Sequence, residues 1–412
     1  MRTNIATCKH ALCASLLVLV STGAMAQEVL KIGAPTSISG RYVAFGSQAK
    51  NGIDFAVDTW KSVRGETVAG RKFEVILRDT QSNNSTTVTV MTELMQADKV
   101  HIVIGPDGSN VAAAAVPPWK KADNRPIWIM PGGSSTKIEE EIGTDPFFFH
   151  TYAWAYYYHV SNARALKAAV GNARKVGIIY SDGAYGRAHV EHARKYLKEA
   201  GFDIVTEELV RENANDFNPA LLKVRARRPD ILYAIVQTND AIQLTKQAAI
   251  AKLGIPYLVG TAQAQLPEWQ DAAGETQNCW TGVTTWVAGL PFPADTREPR
   301  FFPLAAEWEN RWRAKYKEEP KFLDVGYYTS TILALLAVEK AGSLDREKLR
   351  AALAGMDYNT PMGSSKFEKS EIALNQAFGT MVVFQRQKKG GGYESTLIYP
   401  PSVANGKLRR CE

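Results

Sequence analysis

Apolar residues in this chain fall into short runs that alternate with segments of helical spacing. In the stretch from Val100 to Lys137, the runs Val100–Ile104 and Ile127–Met130 have the length and β-branched content of buried parallel strands. Between them, Ser109–Lys121 has the small and apolar content of a helix, and Pro117-Pro118 predicts a kink or an end to its regular part. This is one βαβ unit, and both of its strands end in Gly- and Ser-rich loops, Gly105–Asn110 and Pro131–Ser135.

The same alternation covers much of the chain. Strands are predicted at Leu30–Ala34 and Phe73–Arg78, and helices at 47–61 and 85–97. A second series runs through strands Lys175–Tyr180, Asp203–Glu208, Ile231–Val236 and Tyr257–Gly260, with helices at 187–200, 219–227 and 240–252. Two parallel α/β lobes follow from this pattern. An aromatic run at 146–159 and a Pro-rich, aromatic stretch at 286–303 interrupt it. Helices at 304–316, 325–341 and 345–354 come next, and apolar runs flanking a Gly-rich turn predict a closing β-hairpin from Met381 to Tyr399.

Length and the N-terminus refine the picture. Arg2 and Lys9 precede the apolar run Ala14–Val20 and then Ala24-Met25-Ala26, the pattern of a secretory leader cleaved after Ala26, so the protein is expected in the periplasm. Loss of Arg2 and Lys9 lowers the formal charge from +7 to +5. No later stretch is expected to reach the ~20 apolar residues of a membrane helix. The scattered basic groups fit solvated faces rather than nucleic acid. Of four cysteines, Cys279 and Cys411 survive cleavage, which permits at most one intrachain bridge and leaves it open whether they pair.

Ligands of open parallel sheets bind beyond the carboxyl ends of the strands. The loops after Ile104 and Met130 offer backbone N–H groups, serine hydroxyls and the positive end of a following helix, which suit a carboxylate without any basic side chain. In the aromatic run, Tyr152 and Trp154 project to one side if the backbone is extended, either lining a cleft with Tyr156 nearby or packing a crossover. Ser134-Ser135-Thr136-Lys137 fits the S-x-x-K pattern of serine acyl-enzymes, but the S-D-N and K-T-G partners of that pattern are missing. His189 and His192 with Glu191 are candidate metal ligands on one helix, though a polar helix of this kind is expected to be solvated. Neither a metal nor a cofactor is expected, and no enzymatic activity.

Ile32-Gly33, Ser39-Gly40, Phe45-Gly46, Ile104-Gly105 with Ser109, Pro131-Gly132-Gly133-Ser134, Asp182–Gly186, Asp216-Phe217, Pro229-Asp230 and Tyr328 with Glu339–Gly342 occur in an order and spacing that resemble the solute-binding proteins of ABC transporters in the leucine/isoleucine/valine-binding group. The resemblance spans essentially the whole mature chain. It implies a type I periplasmic binding fold, in which two Rossmann-like lobes with parallel sheets are joined by three crossovers. Lobe one would be 27–149 with 281–357, and lobe two 150–280 with 358–412. It further implies a monomer that delivers a small solute to a membrane permease; a sensor signalling to a membrane partner would have the same binding module.

The resemblance also implies a site. Ser109 resembles the serine that holds the ligand carboxylate, and Gly132, Gly133 and Ser134 resemble the donors of the second loop. Phe45, Tyr185 and Tyr328 fall where aromatics close the pocket, and Gln237 on a second-lobe loop. Where amino-acid binders place an acid for the ligand ammonium, this chain has Ala262. A buried ammonium without a counter-charge costs several kcal/mol. Either Asp182 or Asp240 supplies the charge, or the ligand is an amine-free acid, an aromatic acid included, the reading preferred over a branched-chain amino acid.

Overall fold

The computed structural model describes residues 1, 28–377 and 380–411, so the leader and its cleavage site lie outside the described residues. The first series is β1 (Leu30–Thr36), α1 (Val43–Arg64), β2 (Thr67–Val68), β3 (Arg71–Asp79), α2 (Asn84–Gln96), β4 (Ile102–Ile104), α3 (Ser109–Lys121), β5 (Ile127–Met130), α4 (Thr136–Ile142) and β6 (Phe148–His150). Its strands form one sheet in the order β2-β3-β1-β4-β5-β6, parallel except for the short edge strand β2. A parallel sheet covered on both faces needs continuous apolar strands, and β4 and β5 are buried at every position. Helix α3 runs through Pro117 and Pro118 to Lys121 instead of ending there. Its last turn is anchored by Trp119, which is buried, donates from Nε1 to the Pro126 carbonyl at 3.0 Å and packs edge-on against Trp128.

The second series is α5 (Ala155–Ala169), β7 (Lys175–Ser181), α6 (Ala184–Glu199), β8 (Asp203–Val210), α7 (Asn218–Ala226), β9 (Ile231–Ile235), α8 (Thr238–Ile250), β10 (Tyr257–Val259), α9 (Pro267–Ala273) and β11 (Trp280–Thr284). After α10 (Ala305–Tyr316), α11 (Phe322–Ala341) and α12 (Arg346–Ala354), a small hairpin of β12 (Asp357–Thr360) and β13 (Gly363–Lys366) precedes β14 (Val382–Lys389) and β15 (Gly392–Tyr399). The second sheet has the order β15-β14-β11-β10-β9-β7-β8, with β14 and β15 antiparallel.

Sheet membership shifts two of the expected boundaries. Strand β11 extends the second sheet to Thr284, beyond the expected limit at 280. Residues 367–377 hold to the first lobe: His150 N donates to Asn375 O, Ala377 N to His150 O, and Ile372 N to the Glu139 carboxylate. We therefore propose that lobe one continues to residue 377 rather than ending at 357.

Among the described residues one helix, α11, is long and apolar enough to span a membrane by length and composition, contrary to expectation, but 94% of its apolar window is buried within the protein. It packs along α1, where a Cβ on Gly52 would sit 2.4 Å from the Asp324 carbonyl oxygen. Only glycine lets the two backbones approach this closely. Beyond it, Phe55 of α1 meets Trp308 and Trp312 of α10 and Tyr328 of α11 in one aromatic cluster. Gly52→Ala should force α11 outward and lower stability by about 1–3 kcal/mol, the usual cost of overpacking, read as a reduced urea midpoint with unchanged m-value.

Candidate ligand-binding cleft

The carboxyl ends of the two sheets face each other across a cleft of about 430 Å³ including its mouth. Lobe one lines it with Phe45, the β4–α3 loop at Asp107, Gly108 and Ser109, the β5–α4 loop at Gly133 and Ser134, and Phe322 at the start of α11. Lobe two adds Tyr158, Tyr185, Val236, Gln237, Thr238, Thr261, Ala262, Gln263 and Leu266, and Tyr152 enters from the segment between the lobes. The lobes touch around this cleft. Asn110 donates to Tyr42 Oη at 2.9 Å and to the Glu212 carboxylate at 2.9 Å, and Ala184 N donates to Asn110 Oδ1 at 3.0 Å.

The first-lobe loops are cross-braced. Asp107 accepts from Ser37 N and Ser37 Oγ, both at 2.8 Å, and from Thr36 Oγ1 at 3.0 Å, tying the β4–α3 loop to the end of β1. Burial pushes its carboxyl above the usual range, opposed by those three hydrogen bonds. Ser109 Oγ accepts from Ser134 N at 3.0 Å and from Ser135 N at 3.3 Å, which leaves the Ser109 hydroxyl proton for a partner in the cleft. A helix also leaves its first N–H groups unpaired, and the first turn of α3 begins at Ser109.

Phe45, Ser109, Gly133, Ser134, Tyr152, Tyr185, Gln237 and Ala262 thus line the cleft. Other expected members lie elsewhere. Gly132 is behind the wall, where a Cβ would come 2.8 Å from the Asp107 carbonyl oxygen. Tyr328 is in the first-lobe core, donating from its hydroxyl to Phe301 O at 2.6 Å, and Phe322 is the ring from α11 that reaches the cleft. Strand β6 ends at His150, before Tyr152 and Trp154, so alternation does not set their sides: Tyr152 reaches the cleft, while Trp154 packs on His150 with ring centroids 3.7 Å apart. Tyr156 turns to Glu139, whose Oε1 accepts its hydroxyl at 3.3 Å.

The expected alternatives for chemistry also resolve. Lys137 pairs with Glu140 at 3.0 Å on the surface, away from Ser134, so the acyl-enzyme pattern is not assembled. His189 is buried rather than solvated, and His192 contacts Thr136 Oγ1 at 3.1 Å. Among the described residues no cluster of three or more His, Cys, Asp or Glu side chains is placed to hold a metal. Asp182 accepts from Glu212 N at 2.8 Å, and Asp240, raised to about 6 by burial, accepts from Asn213 N at 3.2 Å; both lie off the cleft.

A sequence model described as periplasmic binding protein matches residues 29–391. The chain belongs to the periplasmic binding protein family. This periplasmic binding protein is 23% identical over 415 residues to the Leu/Ile/Val-binding protein homolog 7 of Brucella abortus (strain 2308), covering 97% of this chain and 99% of that one. Its structure resembles that of LivJ, the branched-chain amino acid transporter substrate binding protein from Streptococcus pneumoniae, in complex with isoleucine (TM-score 0.76, 22% identity, covering 90% of this chain and 100% of that one). It also resembles an ABC transporter solute binding protein from R. palustris in complex with benzoate (TM-score 0.74, 22% identity, covering 93% and 100%). The relatives are solute-binding proteins, not enzymes, and the fold is the type I two-lobed architecture.

The rings of α11 offer a direct check on the cleft. Tyr328→Ala should cost about 3–5 kcal/mol in chemical denaturation, as expected for deleting a core aromatic. Phe322→Ala should instead enlarge the cleft, and a fluorescent apolar probe should bind the Phe322 variant but not the Tyr328 variant.

Proposed function

We propose that this protein is an exported, monomeric receptor of an ABC importer that captures an amine-free, aromatic acid in its cleft and hands it to a membrane permease. The observation that carries this reading is the cleft's charge inventory. Among the described residues that line it, Asp107 is the one acidic side chain, and that carboxylate is engaged by Thr36 and Ser37. A ligand ammonium would have no counter-charge, whereas a ligand carboxylate meets the hydroxyl of Ser109 and the start of α3.

Five rings, Phe45, Tyr152, Tyr158, Tyr185 and Phe322, surround the remaining space. Edge and face contacts with a benzoate-like body contribute about 0.5–1.5 kcal/mol each beyond burial. The benzoate in the R. palustris neighbour supports an aromatic acid; the isoleucine in LivJ is the competing precedent.

A thermal-shift screen of benzoate, 4-hydroxybenzoate and 3,4-dihydroxybenzoate beside leucine, isoleucine and valine tests the reading. Stabilisation by at least one benzoate, confirmed as one site per chain by calorimetry, is expected; stabilisation by leucine alone would refute it. In the same titration Ser109→Ala should weaken binding by about 1–3 kcal/mol, because the bound carboxylate loses its donor. Small-angle scattering should show a smaller radius of gyration on saturation as the lobes close, and identical profiles would argue for a rigid module.

A further inference from the structure

Behind Ser134 runs a buried series of hydrogen bonds. Ser134 Oγ lies 2.8 Å from His189 Nε2, His189 Nδ1 lies 3.0 Å from His159 Nε2, and His159 Nδ1 lies 2.8 Å from Tyr233 Oη. Asn162 Nδ2 donates to Tyr233 Oη at 2.8 Å and faces the Gly260 carbonyl oxygen at 3.4 Å. All five side chains are buried. Ser134 belongs to lobe one and the other four to lobe two, so the Ser134–His189 bond exists only when the lobes meet.

One proton order in this series gives every buried donor an acceptor. A carbonyl only accepts, so the Asn162 amide must turn its nitrogen toward both Gly260 and Tyr233. Tyr233 accepts from Asn162 and still has its own buried hydroxyl proton to place, for which His159 Nδ1 at 2.8 Å is the acceptor within reach. His159 carries its proton on Nε2 and donates to His189 Nδ1, and His189 in turn donates from Nε2 to Ser134. The spacing resembles a nucleophile–base pair, but His189 presents a proton to Ser134 and cannot take one from it. Ser134 is left to donate, either directly into the cleft or through Tyr158, whose hydroxyl contacts Ser134 and pairs with Tyr152.

We propose that Asn162, Tyr233, His159 and His189 are positioning residues that form an interlobe latch, assembled on closure and holding Ser134 as a hydrogen-bond donor to an acceptor-only ligand group. This deepens the carboxylate reading of the cleft and rests on it. The latch requires both imidazoles to be neutral, and burial depresses them: His159 is pushed down to about 3 and His189 well below its ordinary value. Around His189 stand His159 from α5, the rings of Tyr158 and Tyr185, and His192 one turn along α6; His192 is flanked by Glu191, Lys195, Glu140 and Glu371. On opening, His189 loses its Ser134 contact and becomes easier to protonate. Closure then expels that proton, so affinity falls toward acid pH, by at most tenfold per unit.

The test has a ligand-free arm and a binding arm. Long-range proton–nitrogen correlation spectra of the mature protein should show His159 as the Nε2–H tautomer; the Nδ1–H tautomer would overturn the proton order and with it the latch. The binding arm uses whichever of benzoate, 4-hydroxybenzoate and leucine stabilises the protein, so the amine-free reading can fail while the latch is still judged. Between pH 8.0 and 5.5 the wild type should lose affinity on the acid side, and His189→Gln should give a flat profile. Tyr233→Phe, which does not line the cleft, should weaken binding roughly threefold to tenfold. A pH profile unchanged by His189→Gln, or full affinity in Tyr233→Phe, would reduce the series to core packing.

A second inference concerns the C-terminal tail. Cys411 N donates to Pro256 O at 2.8 Å just before β10, and Cys279 stands just before β11, which pairs with β10. The Gln385 side chain donates to both Cys279 O and Arg409 O at 2.9 Å, and the two thiols are in hydrogen-bonding contact. We infer that Cys279 and Cys411 form a disulfide when a disulfide oxidant accepts their two electrons and two protons. Oxidised glutathione, added to the purified protein, should remove two hydrogens from its intact mass and block alkylation of both cysteines until reduction. Two cysteines that stay open to alkylation under denaturing conditions, or that stop as mixed disulfides with glutathione, would overturn it.

Discussion

A charge buried in a closed cleft must be met by an opposite charge or by oriented dipoles, and the rest of this site follows from that constraint. Among the described residues no lysine or arginine lines the cleft, so a bound carboxylate depends on hydroxyls and on the first turn of α3. Those groups work only if they are held in place. Ser109 is fixed by two backbone donors from the neighbouring loop, and Asp107 braces that wall to β1 while its own charge is absorbed by Ser37 and Thr36. The wall that receives an anion is thus built around an anion of its own that has already been satisfied.

The scaffold places these loops by packing rather than by loop chemistry. Gly52 lets α1 and α11 meet at backbone distance, and the aromatic cluster around Phe55 fixes α10 and α11 against α1. The same helix pair carries Phe45 and Phe322 into the cleft, their rings 6.1 Å apart and edge to face. Core packing and cleft shape are therefore set by one contact surface.

The parallel strands and their C-terminal loops were legible in the sequence because apolar runs and Gly/Ser loops are local features, and Ser109, Ser134, Tyr185 and Ala262 came from those loops. Tyr328 was misplaced for a physical reason. Helix α11 is apolar on all sides, so periodicity does not say which face meets the cleft, and the ring that does so stands at the helix start. Trp154 was misplaced because strand alternation was carried past His150, where β6 ends, and Tyr156 sits on α5 and turns to Glu139. His189 looked solvated on a polar helix, but His159 and Tyr158 of α5 cover it within its own lobe and Ser134 meets it from the other, and contacts between elements leave no trace in helical period.

The lack of a free acid among the described residues that line the cleft with Ala262 is the feature on which the ligand class turns. It is tested most directly with two ligands of one skeleton, 3-phenylpropanoate and phenylalanine, which differ by the amine alone, titrated calorimetrically into the mature protein at neutral pH. The amine-free acid should bind more tightly by at least about tenfold, since the ammonium enters the cleft unpaired. Equal affinity, or tighter binding of phenylalanine, would contradict the account.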